Sequence, residues 1–254
     1  MVHFVGAGPG AEDLITLRGK HLLETADTVI YAGSLVNPAL LEYTRPDCEI
    51  FNSAEMTLEQ VIAVITAPER MGFEVVRLHT GDPSIYGAIR EQMDLLDAAC
   101  IKYDICPGVS SFCGAAAALR AEYTLPYVSQ TVILTRMEGQ TPVPEREEIS
   151  RLASHGATMV IFLSTGMLEE LSRRLISGGY TAQTPAAIVY KATWNDEKII
   201  RTTVGELADA AKAANITKTA LITVGDFLSD NYERSKLYDP AFSTEFRTGT
   251  DTAL

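Results

Sequence analysis

Short apolar runs alternate with amphipathic stretches through the first half of the chain. Residues 2–8 (VHFVGAG), 27–33 (DTVIYAG), 73–83 (FEVVRLHTGDP) and 102–108 (KYDICPG) read as strands, each closing on small or turn-forming residues. Between them, residues 16–26, 57–72, 87–100 and 110–121 read as helices. Thr16 is placed to cap the first, with Leu17, His21, Leu22 and the Thr25–Ala26 pair on one face. Thr57 caps the second, and Gln60, three residues on, completes a capping box. Strand followed by helix four times over predicts a parallel sheet wrapped by helices.

Residues 122–127 (EYTLPY) interrupt this rhythm. Strands are predicted at 129–136, 157–164, 185–193 and 219–227, helices at 145–154, 167–178 and 206–215, and a proline-rich loop at 139–144. Residues 197–207 (EKIIRTTVGEL) add a hairpin-like strand, so this second sheet is expected to be mixed. The fold class is α/β: an N-terminal domain over 1–119 with a parallel sheet, a C-terminal domain over 120–240 with a mixed sheet, and a polar tail over 241–254. The chain after Leu228 reads as a surface helix or as partly disordered.

Composition narrows the class. Of 254 residues, 46% are apolar, enough for real cores, and no run of about 18 apolar residues suggests a membrane span. The opening MVHFVGAG lacks a basic region and reads as a strand, not a signal peptide. Cys48, Cys100, Cys106 and Cys113 show no CxxC spacing and are expected to be reduced, mostly buried thiols of a cytoplasmic protein. His3, His21, His79 and His155 form no ligand pair, so no metal site is expected. The net charge of −12 argues against nucleic acid as a partner, and any anionic ligand must meet a local cluster of cations.

The first strand runs into VGAGPGAEDLITL, whose Gly6-x-Gly8-x-x-Ala11 spacing satisfies a loose dinucleotide fingerprint. Its structural conditions fail. Pro9 removes a backbone donor, the helix starts late, near Leu17, and Ala32-Gly33-Ser34 stand where the second strand should close on an acid. Two readings stay open: a tight turn of a βα crossover, or a glycine-rich floor for a flat ligand. Two further strand ends, HTGDPSIYG (79–87) and CPGVSSFCGAAAAL (106–119), carry similar turns. In a parallel sheet all three fall at the C-terminal strand edge, where ligands bind.

Together VGAGPGAEDLITLRG, ADTVIYAGSLV, GDPSIYG, PGVSSFCGAAAAL, ATMVIFLSTG, AIVYKATWNDEKIIRTTVGEL and TALITVGDF resemble the tetrapyrrole methylase family over roughly residues 2–228. YAGSLV, ILTRMEGQTPVPE and FLSTGM look most like the branch acting on precorrin-4. The resemblance implies S-adenosylmethionine-dependent C-methylation of a corrinoid precursor, at C11 of precorrin-4 or its cobalt form, by a homodimer. It implies that the cofactor lies between the domains. Contacts carried over by motif are Pro9, Gly81, Asp82, Ile85, Ser110 and Ser111, then Leu163, Ala192, Thr219, Ala220 and Leu221. The cofactor has no phosphate, which agrees with Pro9 in the glycine loop. Ala32-Gly33-Ser34 replace the Asp that uroporphyrinogen methylases carry after the second strand, and Gln140 stands where close relatives have an Arg. Rival readings are methylation of another ring carbon, an RNA ribose methylase, a diphthine synthase, a nicotinamide-dependent reductase and a non-catalytic binding module.

Methyl transfer from a sulfonium needs in-line positioning and desolvation more than a strong nucleophile. No catalytic residue or proton acceptor is assigned. Asp82 either orients the cofactor or caps its own turn. Ser110 and Ser111 either donate to the methionine carboxylate or cap their helix. Arg136, with Arg45 and Arg90 behind it, is the candidate for the tetrapyrrole carboxylates; the alternative for Arg136 is a structural contact. Tyr86 and Tyr190 pack on ligand or on neighbours, and Met159 and Met167 read as core.

Overall fold

The computed structural model describes residues 1–67 and 70–250. The chain forms two compact units. The first comprises Met1–Ala115 and Lys191–Glu197; the second comprises Ala116–Tyr190 and the chain from Lys198. The division falls inside a helix, ahead of the expected one at 119/120, and the segment 191–197, expected in the C-terminal domain, joins the first unit.

In the first unit, strands β1 (Val2–Gly6), β2 (Thr28–Tyr31), β3 (Glu49–Asn52), β4 (Val75–His79) and β5 (Tyr103–Cys106) form one parallel sheet ordered β3-β2-β4-β1-β5. Helices α1 (Leu17–Thr25), α2 (Leu58–Thr66), α3 (Arg90–Ala98) and α4 (Ser111–Leu119) accompany it. Successive strand residues alternate between faces. Val5, Val29, Val76 and Leu78 cluster with Ile15 and Leu23, while Phe4, Ile30 and Val75 cluster with Val61, Ile65 and Leu96. With apolar clusters on both faces, β1 and β4 are buried along their whole length.

Both caps form as their sequences predict. The Thr16 side chain accepts from the Gly19 amide, and Thr57 and Gln60 make the complete capping box. The buried face of α1 differs. Gly19 lies tight against Val5 and Ile15, so Gly19, Leu23 and Ala26 face inward. Leu17 is turned out and 89% exposed, with His21 and Thr25 also exposed. β3 has no counterpart among the predicted strands. It is an edge strand with exposed or half-buried residues and lacks an apolar run. The α2 helix ends at Thr66 instead of continuing to residue 72, and Pro68 and Glu69 of that stretch lie outside the described residues. Helix α3 starts at Arg90, three positions past the predicted start at Gly87, because Tyr86 and Ala88 hold positive φ. The cysteines are also less buried than expected. Cys106 is buried, Cys48 is half-buried, and Cys100 and Cys113 are exposed and free.

In the second unit, β6 (Val132–Arg136), β7 (Thr158–Phe162), β8 (Pro185–Tyr190), β9 (Lys198–Thr203) and β10 (Ala220–Val224) form a sheet ordered β6-β7-β10-β8-β9. The β6–β7 pair is parallel; β10 runs antiparallel to β7 and β8, and β9 antiparallel to β8, so the sheet is mixed. Helices α5 (Ile149–Ala153), α6 (Leu168–Ser177) and α7 (Leu207–Ala213) pack on it through Ile149, Leu171, Leu175 and Leu207. The predicted helix over 145–154 is shorter because Glu145–Glu147, after Pro144, take a 3-10 turn. Met159 is fully buried, and Met167 and Tyr190 pack against the same core. After Leu228 the described chain is exposed, with one 3-10 turn at Lys236–Tyr238. Among the described residues no helix is long and apolar enough to cross a membrane.

Candidate active site

The C-terminal ends of β4, β1 and β5 lie side by side and bring three glycine loops together. Gly8 and Gly81 form an antiparallel bridge, with Gly81 N–H donating to Gly8 O at 2.9 Å. A Cβ on Gly6 would stand 2.5 Å from Gly108 Cα, and one on Gly108 would stand 2.2 Å from Gly81 O. The three loops therefore meet backbone to backbone, leaving no room for side chains at Gly6 and Gly108. Gly81, at φ +60°, turns its vacant Cβ direction toward Ser111 N and Ser110 Cα, 3.3 and 3.4 Å away. Gly114 lies against Pro9, and the Ala192 carbonyl lies beside Gly10. Ile85 completes the turn through its amide to Asp82 O at 3.2 Å. Pro9, Gly81, Asp82, Ile85, Ser110, Ser111 and Ala192, scattered over the sequence, thus gather at one edge of one sheet.

Asp82 holds this edge together. One carboxylate oxygen accepts from the Ser84 amide at 2.9 Å and the Ser84 hydroxyl; the other accepts from Gly108 N–H at 2.8 Å. Burial pushes its carboxyl up, but these donors together outweigh that and set it below its ordinary value. The turn-capping reading of Asp82 is what the geometry displays, with a reach across to the loop after β5. Ser110 is buried and its carbonyl accepts from the Cys113 and Gly114 amides, so α4 starts there.

Behind the edge lie two residues that sequence reading passed over. Arg77, buried within β4, donates to Ile30 O at 2.9 Å and to Gln92 Oε1 at 3.0 Å, and Gln92 donates to Ala88 O. The guanidinium thereby ties β4 to the loop after it. Burial lowers Arg77 to about 10, leaving it a cation at pH 7. Burial, reinforced by the Arg77 charge, lowers the neighbouring His79 to about 3, so its ring is neutral. The signal for both was charge within an apolar strand, VVRLH.

In the second unit, Leu163 follows β7 and Thr219 precedes β10, and the antiparallel register places them at the same end of the sheet. The Thr165 hydroxyl donates to Ala220 O at 3.2 Å. Leu163 is 65% exposed at φ +53°, and Thr219 has φ +58°. Cys100, Arg120 and Asn215 also have positive φ, but each follows the end of a helix, where that conformation is ordinary. Tyr86, Leu163, Lys191, Thr193 and Thr219 have no such cause and lie in the motif loops, where strain of this kind fits a functional site; Ala88 stands one residue past its motif, and Tyr127 lies apart in the turn that pairs Leu125 with Ser129.

The arginines separate. Arg45 pairs with Asp27, just before β2, and with Asp47, at the N-terminal edge of the parallel sheet, opposite the glycine loops. Arg90 opens α3 on the glycine-loop side, exposed and paired with Asp94. Arg136 ends β6 and donates to Met137 O, Thr141 O and Pro142 O, holding its own loop. The hollow of about 350 Å³ beside it is lined by Glu138, Glu145, Glu147 and Glu148 as well as Arg174. The three carbonyl contacts give Arg136 a structural part in this loop, and among the described residues it makes no ion pair with these glutamates.

None of the eleven motif-derived residues is a cation, and the one carboxylate has both oxygens engaged. Backbone groups and small side chains at the glycine edge suit a nucleoside-like ligand without phosphate. Among the described residues no group of His, Cys, Asp and Glu is arranged to hold a metal ion.

Comparison with known proteins agrees with this geometry. Residues 1–208 match the model of the tetrapyrrole (corrin/porphyrin) methylases. A cobalt-precorrin-4 C(11)-methyltransferase of Methanocaldococcus jannaschii is 54% identical over 247 residues, 97% of this chain and 95% of the relative. A precorrin-4 C(11)-methyltransferase of Sinorhizobium is 42% identical over 248 residues, 97% of this chain and 98% of the relative. The X-ray structure of a cobalamin biosynthetic enzyme, cobalt precorrin-4 methyltransferase, superposes with a TM-score of 0.87 at 47% identity, covering 90% of this chain and 95% of that one. With its glycine loops assembled at one sheet edge and its length matched nearly end to end, this chain belongs to the tetrapyrrole methylases.

Proposed function

We propose that this protein transfers a methyl group from S-adenosylmethionine to C11 of cobalt-precorrin-4 in cobalamin biosynthesis. The observation that carries the reading is the convergence of Pro9, Gly81, Asp82, Ser110, Ser111 and Ala192 on one sheet edge, in a chain 54% identical to a relative of that name. The cobalt form is preferred because the relatives named for it are the more similar, at 54% and 47% identity against 43% and 42%.

S-adenosylmethionine supplies an activated methyl on a sulfonium, whose neutral thioether leaves as the carbon–carbon bond forms. The chain's task is then to bind and orient. Pro9, Gly81, Asp82, Ile85, Ser110, Ser111 and Ala192 of the first unit are the residues proposed to hold the cofactor; Leu163, Thr219, Ala220 and Leu221 are proposed as contacts on their motifs alone. The amides opening α4 would take the methionine carboxylate. Asp82 keeps the loops after β4 and β5 in register, and Arg77 stiffens the first of them from below. Arg90 and Arg136 are proposed for the substrate carboxylates, and Arg45 is not. The protein acts in the cytoplasm as a homodimer.

Calorimetric titration with S-adenosylhomocysteine and with NADH tests the cofactor assignment. The protein is expected to bind the first and not the second; the reverse would favour a nicotinamide enzyme. Gly81→Val, which forces a branched side chain into positive φ beside Ser111, is expected to abolish binding in protein that still melts cooperatively. Unchanged binding would remove the site from this edge.

A further inference from the structure

After β8 the chain enters the first unit for Lys191–Glu197, a turn that lies on the opening glycine loop. Every contact of this turn with the loop falls within that unit. The Trp194 indole Nε1–H donates to Pro9 O at 3.2 Å, and Thr193 Oγ1 accepts from the Ala11 amide at 2.9 Å. A Cβ on Gly10 would stand 2.0 Å from Trp194 Cδ1 and 2.8 Å from Ala192 O; one on Gly114 would stand 2.8 Å from Pro9 Cβ and 3.3 Å from Thr193 Cγ2. Gly10 is small because this turn occupies the space its side chain would need; at Gly114 it is chiefly Pro9 of the loop, with Thr193 beside it, that does so. The turn is braced internally. The Thr193 amide donates to Glu197 at 2.6 Å, Lys191 pairs with Asp196 at 2.6 Å, and the Lys191 ammonium stands 5.2 Å from the centre of the indole ring. From the other side, Asn37 donates to Gly10 O at 2.9 Å.

Between them, Trp194, Asn37 and Thr193 engage the Pro9 carbonyl, the Gly10 carbonyl and the Ala11 amide. The Gly8 and Ala11 amides, donors of the kind that cradle a phosphate in a nucleotide fold, are spent inside the protein, on Gly81 O and on Thr193 Oγ1. We propose that Thr193 and Trp194 form a latch that fixes the Pro9–Ala11 turn and, with it, the position of the adjoining Ala192. They are positioning residues for the cofactor site, and the inference rests on the placement of that site at this edge. Lys191 and Thr193 hold φ of +46° and +70°, so the turn is not one these residues adopt freely. Hydrogen bonds to the glycine loop hold it there.

The test uses the full-length protein and S-adenosylhomocysteine as the probe. Thr193→Val removes the acceptor with little change in shape, Thr193→Ser restores it, and Trp194→Phe removes the indole N–H while keeping an aromatic ring on Gly10. Thr193→Val is expected to weaken binding about three- to tenfold, the range for one neutral hydrogen bond. Its melting temperature should stay close to that of the unsubstituted protein, and Thr193→Ser should return the affinity to within about twofold. A fold-stabilising role alone would move the melt and not the affinity. Thr193→Val binding as tightly as the unsubstituted protein, while Gly81→Val abolishes binding, would overturn the latch and leave the site reading standing. Binding insensitive to Gly81→Val as well would overturn the site reading and the latch with it. Should Thr193→Val lack a cooperative melt, Trp194→Phe decides on the same criteria.

Discussion

His79 ends β4 with its Nε2 buried and without a hydrogen-bond partner among the described residues. Burial and the Arg77 charge keep it neutral down to about pH 3, whereas an unfolded histidine takes up a proton near 6.5. The folded pKa is the lower of the two, so the unfolded state binds more protons as the solution is acidified. Stability is therefore full above pH 6.5 and falls as the pH drops toward 3. Between pH 7 and pH 5 this one group should cost about 2 kcal/mol, from about 1.36 kcal/mol per pH unit. Urea unfolding of the protein and of His79→Gln at both pH values checks it. The unsubstituted protein is expected to lose about 2 kcal/mol more than the variant; parallel losses would contradict the assignment. At this scale the sequence was partly legible. Pro9, Gly81, Asp82 and Ser110 stand in loops whose composition announces them. Trp194 does not, because its partner Pro9 is remote in the chain and a lone aromatic in a polar turn has no period. Arg77 and His79 were visible as charge in an apolar strand, but the partners of Arg77, Ile30 and Gln92, come from elements that folding alone brings near.

At the scale of the element, the glycine edge is built from close approach. Gly108→Ala puts a methyl group 2.2 Å from Gly81 O, a backbone atom that cannot swing aside. The loops after β4 and β5 must part, at a cost of about 1–3 kcal/mol for overpacking. Gly166→Ala is the matched control, since nothing lies within 4 Å of its added Cβ, and it should change stability by less than about 0.5 kcal/mol. Denaturant midpoints of the two variants test this; equal shifts would mean that the edge yields more easily than its contacts indicate. Helix starts were legible because a cap is local: Thr16 with Gly19, and Thr57 with Gln60, are neighbours in sequence. The packing face of α1 was not. It follows from how closely Gly19 approaches Val5 and Ile15, and a glycine carries no hydropathy to mark a buried face. β3 escaped for a related reason, since an edge strand shields little apolar surface and Glu49–Asn52 shows no alternation.

Across the whole molecule, alternation of strand and helix was enough for a parallel sheet in the first half and a mixed one in the second. The membership of Lys191–Glu197 in the first unit was not, because a segment's neighbours in sequence say nothing of a turn that packs on residues 9–11. Charge acts at this scale too. At −12 the protein as a whole repels a polycarboxylate, and Arg45, Arg90, Arg146, Arg151, Arg173 and Arg174 are paired with acids. Arg136, at the end of β6, is held by carbonyls and not by a carboxylate ion pair among the described residues. Arg136→Met should weaken tetrapyrrole binding about tenfold or more, the worth of one charge-assisted hydrogen bond, and leave S-adenosylhomocysteine affinity unchanged. Separate titrations check it, and a loss confined to the cofactor would place Arg136 with the cofactor site. The central claim is tested most directly by the product. The protein is incubated with S-adenosylmethionine labelled with carbon-13 at the methyl group, and with cobalt-precorrin-4 or the metal-free compound, and the labelled product is read by NMR. The account predicts one new labelled methyl at C11, formed faster on the cobalt compound; label at another ring carbon, or none on either compound, would contradict it.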